Sequence, residues 1–354
     1  MSWWTIVVNI VLGFILLGKG AEWLVGGSTV LARRMGVSAM VVGLTVVAWG
    51  TSLPEVVVSV GAALDSSAAL SLGNVLGSNI ANIGLVLGAC AIVLPSVLEG
   101  RLAGREIFWF LFSIILLMAL CYDERLSRLE GVALLGVFAG HTWDVFRQAK
   151  LQARLEGHSD ASDAPLNTEI EVLTNIGERA VHWYKHPLIE SLLGMVSIAA
   201  GAYFVVNGAK GGALVLGIDE RIVGLTVVAI GTSLPELAAG LGGALKGEKD
   251  ISMGNVVGSN IFNVLAVMGL TAIAHPLDAA YELAHADPEV AQKAAAEVEK
   301  AFNGAKAGDF PLAIAFSLFV VALPLLGGPR YGRLKGALLV AIYVGYSVSL
   351  YLTG

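Results

Sequence analysis

Two segments of this chain each occur twice, and their copies are separated by the same number of residues. Residues 43–55 read GLTVVAWGTSLPE and residues 224–236 read GLTVVAIGTSLPE, identical at twelve of thirteen positions. Residues 73–82 read GNVLGSNIAN and residues 254–263 read GNVVGSNIFN, identical at eight of ten. Both pairs are offset by 181 residues, so we infer that the chain contains two copies of one folding unit.

The composition indicates a protein embedded in a lipid bilayer. Of the 354 residues, 56% are hydrophobic and 14% are charged, whereas soluble domains average about 25% charged residues. The apolar runs have about 18 residues or more, the length needed to cross a hydrocarbon core of about 30 Å. The net charge of −6 and the lack of a basic stripe give no indication of a nucleic-acid partner.

The apolar runs predict an all-α polytopic membrane protein with ten transmembrane helices. Five of these spans separate each motif from its second copy, and an odd number of spans turns the second copy upside down in the bilayer. We therefore expect two inverted-topology five-helix repeats, with a substrate site near the midplane where they meet. The predicted spans are about 4–30, 37–63, 69–95, 104–122, 128–147, 187–214, 219–245, 250–274, 310–327 and 332–352.

Two polar segments interrupt this pattern. The first repeat comprises 1–147 and the second 187–354, so residues 148–186 form a connector between them. The second polar segment, 275–309, is an insertion in the second repeat, and its Ala-rich part from Pro288 to Phe302 is predicted to be a helix between turn residues. We interpret both segments as solvated connectors.

Lysine and arginine residues in the short loops predict the orientation. With the N-terminus outside, nine of them fall in inside loops and three in outside loops, which favours outside positions for both termini. The connector 148–186 is then cytoplasmic, the segment 275–309 is external, and the protein is expected in the inner (plasma) membrane. The nine inside residues are Arg33, Arg34, Arg101, Arg105, Lys246, Lys249, Arg330, Arg333 and Lys335; the outside ones are Arg125, Arg128 and Arg221.

The first repeated motif combines a proline with a carboxylate. Pro54 has no amide hydrogen, so the carbonyl of Gly50 loses its helical partner, and the kink can expose the carbonyl of Thr51. Glu55 follows Thr51 by four residues and shares its helix face. The second copy repeats the pattern with Gly231, Thr232, Pro235 and Glu236.

A carboxylate at the centre of a bilayer costs about 2.5–3.5 kcal/mol on insertion scales. The chain has two such residues, Glu55 and Glu236, at equivalent positions, and neither motif contains a lysine, arginine or histidine that would neutralise them. A bound metal cation or a proton remains as the counter-charge.

The second motif adds neutral oxygen ligands. Asn74, Ser78 and Asn82 lie along one helix face at spacings of four residues. Carboxylate, amide, hydroxyl and carbonyl oxygens favour hard cations such as calcium and sodium. Asn74 and its twin fit a helix-to-helix hydrogen bond as well as an ion contact. The second copy carries Asn255, Ser259 and Asn263, and both copies carry GxxxG glycines, Gly73 with Gly77 and Gly254 with Gly258.

The paired motifs resemble the alpha-1 and alpha-2 repeats of the sodium/calcium exchanger family, within the cation/calcium antiporter superfamily, and most closely its compact prokaryotic members. The resemblance implies one calcium site and several sodium sites at the centre of the protein. Glu55 and Glu236 would bind calcium together with the backbone carbonyls of Thr51 and Thr232. The implied sodium ligands are Ala48, Ser52, Ser78 and Asn82 in one half, and Ala229, Ser233 and Ser259 in the other.

One candidate ligand departs from the family pattern. Where well-known calcium-transporting members carry an aspartate in the second repeat, this chain has Asn263, the equivalent of Asn82. The cluster therefore holds two carboxylates instead of three, and two negative charges match one calcium ion or two sodium ions.

The resemblance implies an antiporter that exchanges sodium for calcium by alternating access, with spans 1 and 6 sliding across a fixed core and no cofactor. Proton-coupled and potassium-dependent calcium exchange remain alternatives, with a passive cation channel as a third. An enzyme is not expected, because Ser52 and Ser233 have no histidine or lysine in their motif to act as a base. The sequence predicts no oligomeric state.

Overall fold

A computed structural model describes residues 2–95, 104–155, 186–216, 229–285, 288–322 and 332–353. Regular structure in these ranges is helical, apart from one isolated β-bridge between Leu126 and Leu277. The helices are α1 (Trp3–Met35), α2 (Ala39–Thr51), α3 (Leu53–Leu64), α4 (Ala68–Val93), α5 (Gly104–Leu120), α6 (Arg128–Leu155), α7 (Pro187–Val215), α8 (Ala229–Thr232), α9 (Leu234–Leu245), α10 (Lys249–Ala274), α11 (Ala279–His285), α12 (Pro288–Gly304), α13 (Phe310–Ala322) and α14 (Gly332–Thr353).

Within these ranges, six helical stretches are long and apolar enough to cross a membrane, and the bent pair α2 and α3 makes a seventh. The six are α1, α4, α5, most of α7, α10 and the stretch from α12 through α13. The all-helical, multi-spanning architecture agrees with the sequence pattern. The count of ten spans stays a prediction, in part because residues 217–228, where the seventh predicted span begins, lie outside the described residues.

Helices α1 and α7 pack antiparallel with their backbones in contact. A Cβ atom added to Gly13 would lie 2.8 Å from the carbonyl oxygen of Gly201, and one added to Gly20 would lie 2.8 Å from that of Gly194. Only glycine permits this approach. The offset of 181 residues carries Gly13 onto Gly194 and Gly20 onto Gly201, so the two contacts are equivalent in the two copies.

The predicted break in the first motif is confirmed. Helices α2 and α3 are bent by 45° at Ser52, whose φ of −90° and ψ of 10° leave the helical region. Ser233, the equivalent residue, has nearly the same angles, −87° and 1°. Pro54 and Pro235 are the second residues of the helices that follow, where a missing amide hydrogen is tolerated.

Within the described residues, three wide turns of π-helix interrupt the helices that carry the motifs. Such turns often mark functional sites because they displace side chains and backbone groups from the regular helix. Asn82 and Asn263 each begin one of them. The turns are Gly43–Val47 in α2, Asn82–Leu87 in α4 and Asn263–Val267 in α10.

The interpretation of 275–309 as a solvated connector was wrong for its helical part. The predicted helix is present, but the chain does not leave the helix after Phe302. Helix α12 continues through one π-helical segment, Ala305–Asp309, directly into α13. Val298 and Phe302 are fully buried in the main core. The reason is that apolar side chains recur every three or four residues along α12 and form one face, which packs against α4.

The first residues of the predicted connector 148–186 are helical. Helix α6 continues to Leu155, eight residues beyond the predicted end of span 5 at residue 147. The rest of this segment, 156–185, lies outside the described residues.

The segment around α11 and α12 covers one end of the helix bundle. Ser67, in the loop after α3, donates to Glu297 at 2.9 Å. Leu126, after α5, forms the β-bridge with Leu277. These loops therefore lie at the same end of the bundle as α11 and α12.

Candidate functional site

Glu55 and Glu236 are completely buried, in the first turns of α3 and α9. The break at the preceding serine starts a new helix just before each glutamate, so each carboxylate lies near the positive end of a helix dipole. One oxygen of each carboxylate accepts a hydrogen bond: Glu236 Oε1 from Ser52 at 2.7 Å and Glu55 Oε1 from Ser78 at 3.4 Å. The other oxygen, Oε2, has no hydrogen-bond partner among the described residues.

The two carboxylates belong to one buried cluster, because Ser52, three residues before Glu55, donates its hydroxyl hydrogen to Glu236. In the described part of the chain, no salt bridge reaches either of them. Buried charges in proteins are normally paired or bind metals, because isolation from water is otherwise too unfavourable. An ionised pair therefore calls for a bound cation or a proton, since no described side chain provides the counter-charge.

Asparagines from the opposite copy tie the broken helices together. Thr51 donates to Asn255 Oδ1 at 3.1 Å, and Asn255 Nδ2 donates to the carbonyl oxygen of Glu236 at 3.2 Å. For these asparagines the sequence left two interpretations open, and the structure shows the helix-to-helix hydrogen bond. The same pair of bonds recurs in the other copy among Thr232, Asn74 and Glu55, each at 3.4 Å.

Several predicted ligands are buried with unused oxygen atoms. Ser233 is 1% exposed and Asn82 and Asn263 are fully buried, yet none of their side chains has a hydrogen-bond partner among the described residues. Native proteins leave few buried polar atoms unsatisfied. With the two free carboxylate oxygens, the acceptors are Glu55 Oε2, Glu236 Oε2, Ser233 Oγ, Asn82 Oδ1 and Asn263 Oδ1.

The remaining predicted residues lie at the contact between the copies or at its edge. The Ala48 carbonyl oxygen accepts from Ser259 at 3.5 Å and from Thr51 at 3.2 Å, so it joins α2 to α10. Gly258 allows this approach, since a Cβ there would lie 2.5 Å from the carbonyl oxygen of Leu44. Ala229 is the first residue of α8, and the structure describes only its backbone.

Two further polar residues of the cluster were missed by the sequence analysis. Asn79 and Asn260 directly follow Ser78 and Ser259 and are 4% and 2% exposed. Asn79 Nδ2 donates to the carbonyl oxygen of Asn260 at 3.2 Å. Their occurrence in both copies of the second motif was the available signal.

The candidate site offers oxygen atoms as ligands for a cation. No group of three or more histidine, cysteine, aspartate or glutamate side chains that could hold a metal ion occurs in the described part of the chain. The centre instead combines two carboxylates with hydroxyl, amide and carbonyl oxygens, which suits calcium and sodium better than zinc or copper.

Comparisons with known proteins agree with this chemistry. The family model described as sodium/calcium exchanger protein matches residues 5–145 and 186–352. The putative antiporter CaxA of Alkalimonas amylolytica is 34% identical over 346 residues, covering 97% of this chain and 98% of that protein. The inner membrane protein YrbG of Escherichia coli is 36% identical over 272 residues, covering 75% and 79%.

Solved structures match over the same length. A structure of the sodium-calcium exchanger NCX_Mj superposes with a TM-score of 0.74 at 29% sequence identity, covering 99% of both chains. One assignment follows from these three findings: a family match over most of the chain, relatives above 30% identity and a full-length structural match. This chain is a multi-pass membrane protein that belongs to the sodium/calcium exchanger family.

Proposed function

We propose that this protein is a secondary active antiporter that exchanges sodium for calcium by alternating access at the Glu55–Glu236 cluster. One observation carries the proposal: two fully buried carboxylates share one cluster, lack a cationic side-chain partner in the described part of the chain, and each keep one oxygen without a described hydrogen-bond partner. Two negative charges are compensated by one calcium ion or by two sodium ions. The two cargoes therefore compete for one set of oxygens.

The roles of individual residues follow from their positions. Glu55 and Glu236 bind calcium through their carboxylates, with the backbone carbonyls of Thr51 and Thr232 beside the helix breaks. Sodium uses the oxygens around them. These are supplied by Ser52, Ser78, Asn82 and the Ala48 carbonyl in one copy, and by Ser233, Ser259, Asn263 and the Ala229 carbonyl in the other.

Alternating access is supported by the relation between the two copies. Helices α1 and α7 run antiparallel and make equivalent glycine contacts, as expected for inverted repeats of five spans each. We infer that α1 and α7 slide together across the core that holds the cluster, exposing it to one face and then to the other. Both termini are outside, 148–186 is cytoplasmic and 275–309 external, in an inner membrane as the name of YrbG states for that protein.

Coupling follows from charge. When the cluster is empty, repulsion between Glu55 and Glu236 opposes closure of the site around them. Calcium or two sodium ions offset this repulsion, so only a loaded protein switches between its two orientations. Uncoupled leakage of either ion is thereby suppressed, which is the behaviour of a carrier and not of a passive channel.

The test is calcium uptake into sodium-loaded proteoliposomes, with sodium, potassium and proton gradients imposed one at a time. We expect uptake to require the sodium gradient, to vanish in Glu236→Gln and Glu55→Gln, and to persist in Glu299→Gln, a control at an exposed carboxylate of α12. Unchanged uptake in Glu55→Gln would overturn the site assignment.

The same uptake assay identifies the coupling ion. Because Asn263 replaces a third carboxylate, the cluster has fewer charges than the family pattern. Uptake driven by a pH gradient and indifferent to sodium would retain the site and replace sodium with protons. A requirement for potassium would indicate potassium-dependent exchange, and ion conductance without a counter-ion would indicate a channel.

A further inference from the structure

Asn79 and Asn260 occupy equivalent positions in the two copies and contact each other. They are 181 residues apart, and Asn79 Nδ2 donates to the carbonyl oxygen of Asn260 at 3.2 Å. Two equivalent points of a twofold-related pair come together only near the twofold axis. A second contact of this kind supports the same axis: Ser197 donates to the carbonyl oxygen of Leu16 at 2.9 Å, and these residues are also 181 apart.

The hydrogen bonds of the two asparagines break the twofold symmetry. Asn79 reaches across the axis, whereas Asn260 Nδ2 turns back along its own helix to the carbonyl oxygen of Val256 at 2.7 Å. The equivalent of Val256 in the first copy is Val75. Equivalent groups are therefore available for a mirrored arrangement, in which Asn260 reaches across to Asn79 and Asn79 turns back to Val75.

The same asymmetry reaches the candidate ion site one residue away. Ser78, which precedes Asn79, directs its hydroxyl to the Glu55 carboxylate at 3.4 Å. Ser259, which precedes Asn260, directs its hydroxyl to the Ala48 carbonyl oxygen at 3.5 Å. In this structure, the first copy thus contains both the asparagine that reaches across the axis and the serine that hydrogen-bonds the glutamate of its own copy.

Both asparagines are nine-tenths buried or more, and their Oδ1 atoms have no hydrogen-bond partner among the described residues. A buried amide held by a single donor bond can rotate without breaking a second bond through its oxygen. The pair is therefore built to exchange between two arrangements, unlike a fully satisfied network, which fixes one.

We propose that Asn79 and Asn260 are positioning residues whose cross-axis hydrogen bond selects which copy's serine engages a carboxylate, and that the mirrored arrangement belongs to the oppositely facing state of the transporter. The inference rests on the proposed exchange function. Neither asparagine is assigned as an ion ligand. In an inverted repeat, the inward-facing and outward-facing states are related by exchanging the conformations of the two copies. Asn79 and Asn260 are equivalent residues with different hydrogen bonds, so their bonds differ between the two states.

The test compares Asn79→Leu with Asn260→Leu, which keep side-chain volume and remove the amide. The half-saturating calcium concentration is measured on each face, using right-side-out and inverted membrane vesicles. Asn79→Leu removes the hydrogen bond that crosses the axis in the described state. Asn260→Leu removes the hydrogen bond that would cross the axis in the mirrored state. We expect the ratio of the two half-saturating concentrations to shift in opposite directions, by about two- to tenfold, the change expected for one hydrogen bond.

A purely structural role gives a different result: both variants lose transport or affinity in the same sense, and the ratio between faces stays at its wild-type value. That outcome overturns the proposal. The double variant is expected to restore the ratio at a lower rate. Where a leucine variant fails to reach the membrane, Asn79→Ser and Asn260→Ser repeat the comparison. Failure of the proposed function is distinguished by the unsubstituted chain, which then shows no sodium-dependent calcium flux in either vesicle type, and this inference falls with it.

Discussion

The hydroxyl of Ser52 donates a 2.7 Å hydrogen bond to Glu236 Oε1, so a side chain from the first copy holds the carboxylate of the second. Both residues are fully buried. Hydrogen bonds to a charged group contribute about 1.5–3 kcal/mol, more than those between neutral groups. The contact therefore links the two repeats at the point where we propose that the cation binds.

Removal of this hydroxyl should weaken calcium binding. We expect Ser52→Ala to raise the half-saturating calcium concentration about tenfold or more, because the carboxylate loses a charge-assisted hydrogen bond and the cluster loses an oxygen. Ser317→Ala is the matched control, since Ser317 is also buried but bonds only to its own helix, at Ala313. Calcium titrations of uptake in proteoliposomes measure both; equal effects of the two substitutions would show that burial, and not the carboxylate contact, is responsible.

Neutralising a buried carboxylate should separate stability from ion binding. In calcium- and sodium-free buffer, we expect Glu236→Gln to unfold at a higher temperature than the wild-type protein, because the repulsion with Glu55 is removed. Added calcium should raise the unfolding temperature of the wild-type protein and leave the variant unchanged, since a ligand stabilises only the state that binds it. Thermal unfolding in detergent is the measurement, and an undiminished calcium effect in the variant would contradict the assignment.

The close packing of α1 on α7 should be sensitive to a single methyl group. A Cβ on Gly20 would meet the carbonyl oxygen of Gly194 at 2.8 Å, whereas a Cβ on Gly18 would have no described atom within 4 Å. We expect Gly20→Ala to lower the unfolding temperature and the exchange rate, and Gly18→Ala, on the same helix, to alter neither. If Gly18→Ala were as harmful as Gly20→Ala, loss of backbone freedom would explain the effect better than contact with α7.

The residue at position 263 should set the electrical character of exchange. With two carboxylates, one calcium ion against two sodium ions moves no net charge, so we expect wild-type exchange to be insensitive to membrane potential. Asn263→Asp adds a third negative charge, and we expect it to bring in a further sodium ion and make exchange potential-dependent. Calcium uptake under potassium–valinomycin clamps measures this, with Asn263→Ser as the uncharged control. Potential-dependent exchange in the wild-type protein would disprove the two-to-one stoichiometry.

The role of α12 in the core can be tested by truncating one side chain. Phe302 is fully buried, and phenylalanine-to-alanine changes in protein cores cost about 3–5 kcal/mol. We expect Phe302→Ala to lower the unfolding temperature clearly, while Leu283→Ala, at an exposed side chain of α11, has little effect. A neutral result for Phe302→Ala would restore the view of this segment as a solvated connector.

Much of the candidate site was predictable because the sequence contains its two motifs twice. The duplicated GTSLPE segment located Glu55 and Glu236, and its proline predicted the helix break seen at Ser52 and Ser233. The oxygen-rich second motif placed Ser78 and Ser259 beside the first. These features depend on local spacing along a helix, which sequence determines directly.

Other features depend on which helix lies opposite, and spacing alone does not give that. Nothing local distinguishes an asparagine that binds an ion from one that bonds another helix, so the role of Asn255 appeared only with Thr51 beside it. The buried face of α12 was not recognised within the polar segment 275–309, because the buried residues of α12 are mainly alanines, with Val298 and Phe302 among them. The contact of Asn79 with Asn260 required the twofold arrangement itself.

The glycine contacts between α1 and α7 have a mechanical consequence. Since the two backbones touch at Gly13 with Gly201 and at Gly20 with Gly194, we expect the two helices to move as one rigid strut from one face of the membrane to the other. A rigid strut cannot be displaced at one end while the other end stays in place. If the pair slides as we propose, opening the path to one compartment closes the path to the other through the same displacement. A continuous pore would then be prevented by the geometry of the pair, without separate gates that would have to be coordinated in time.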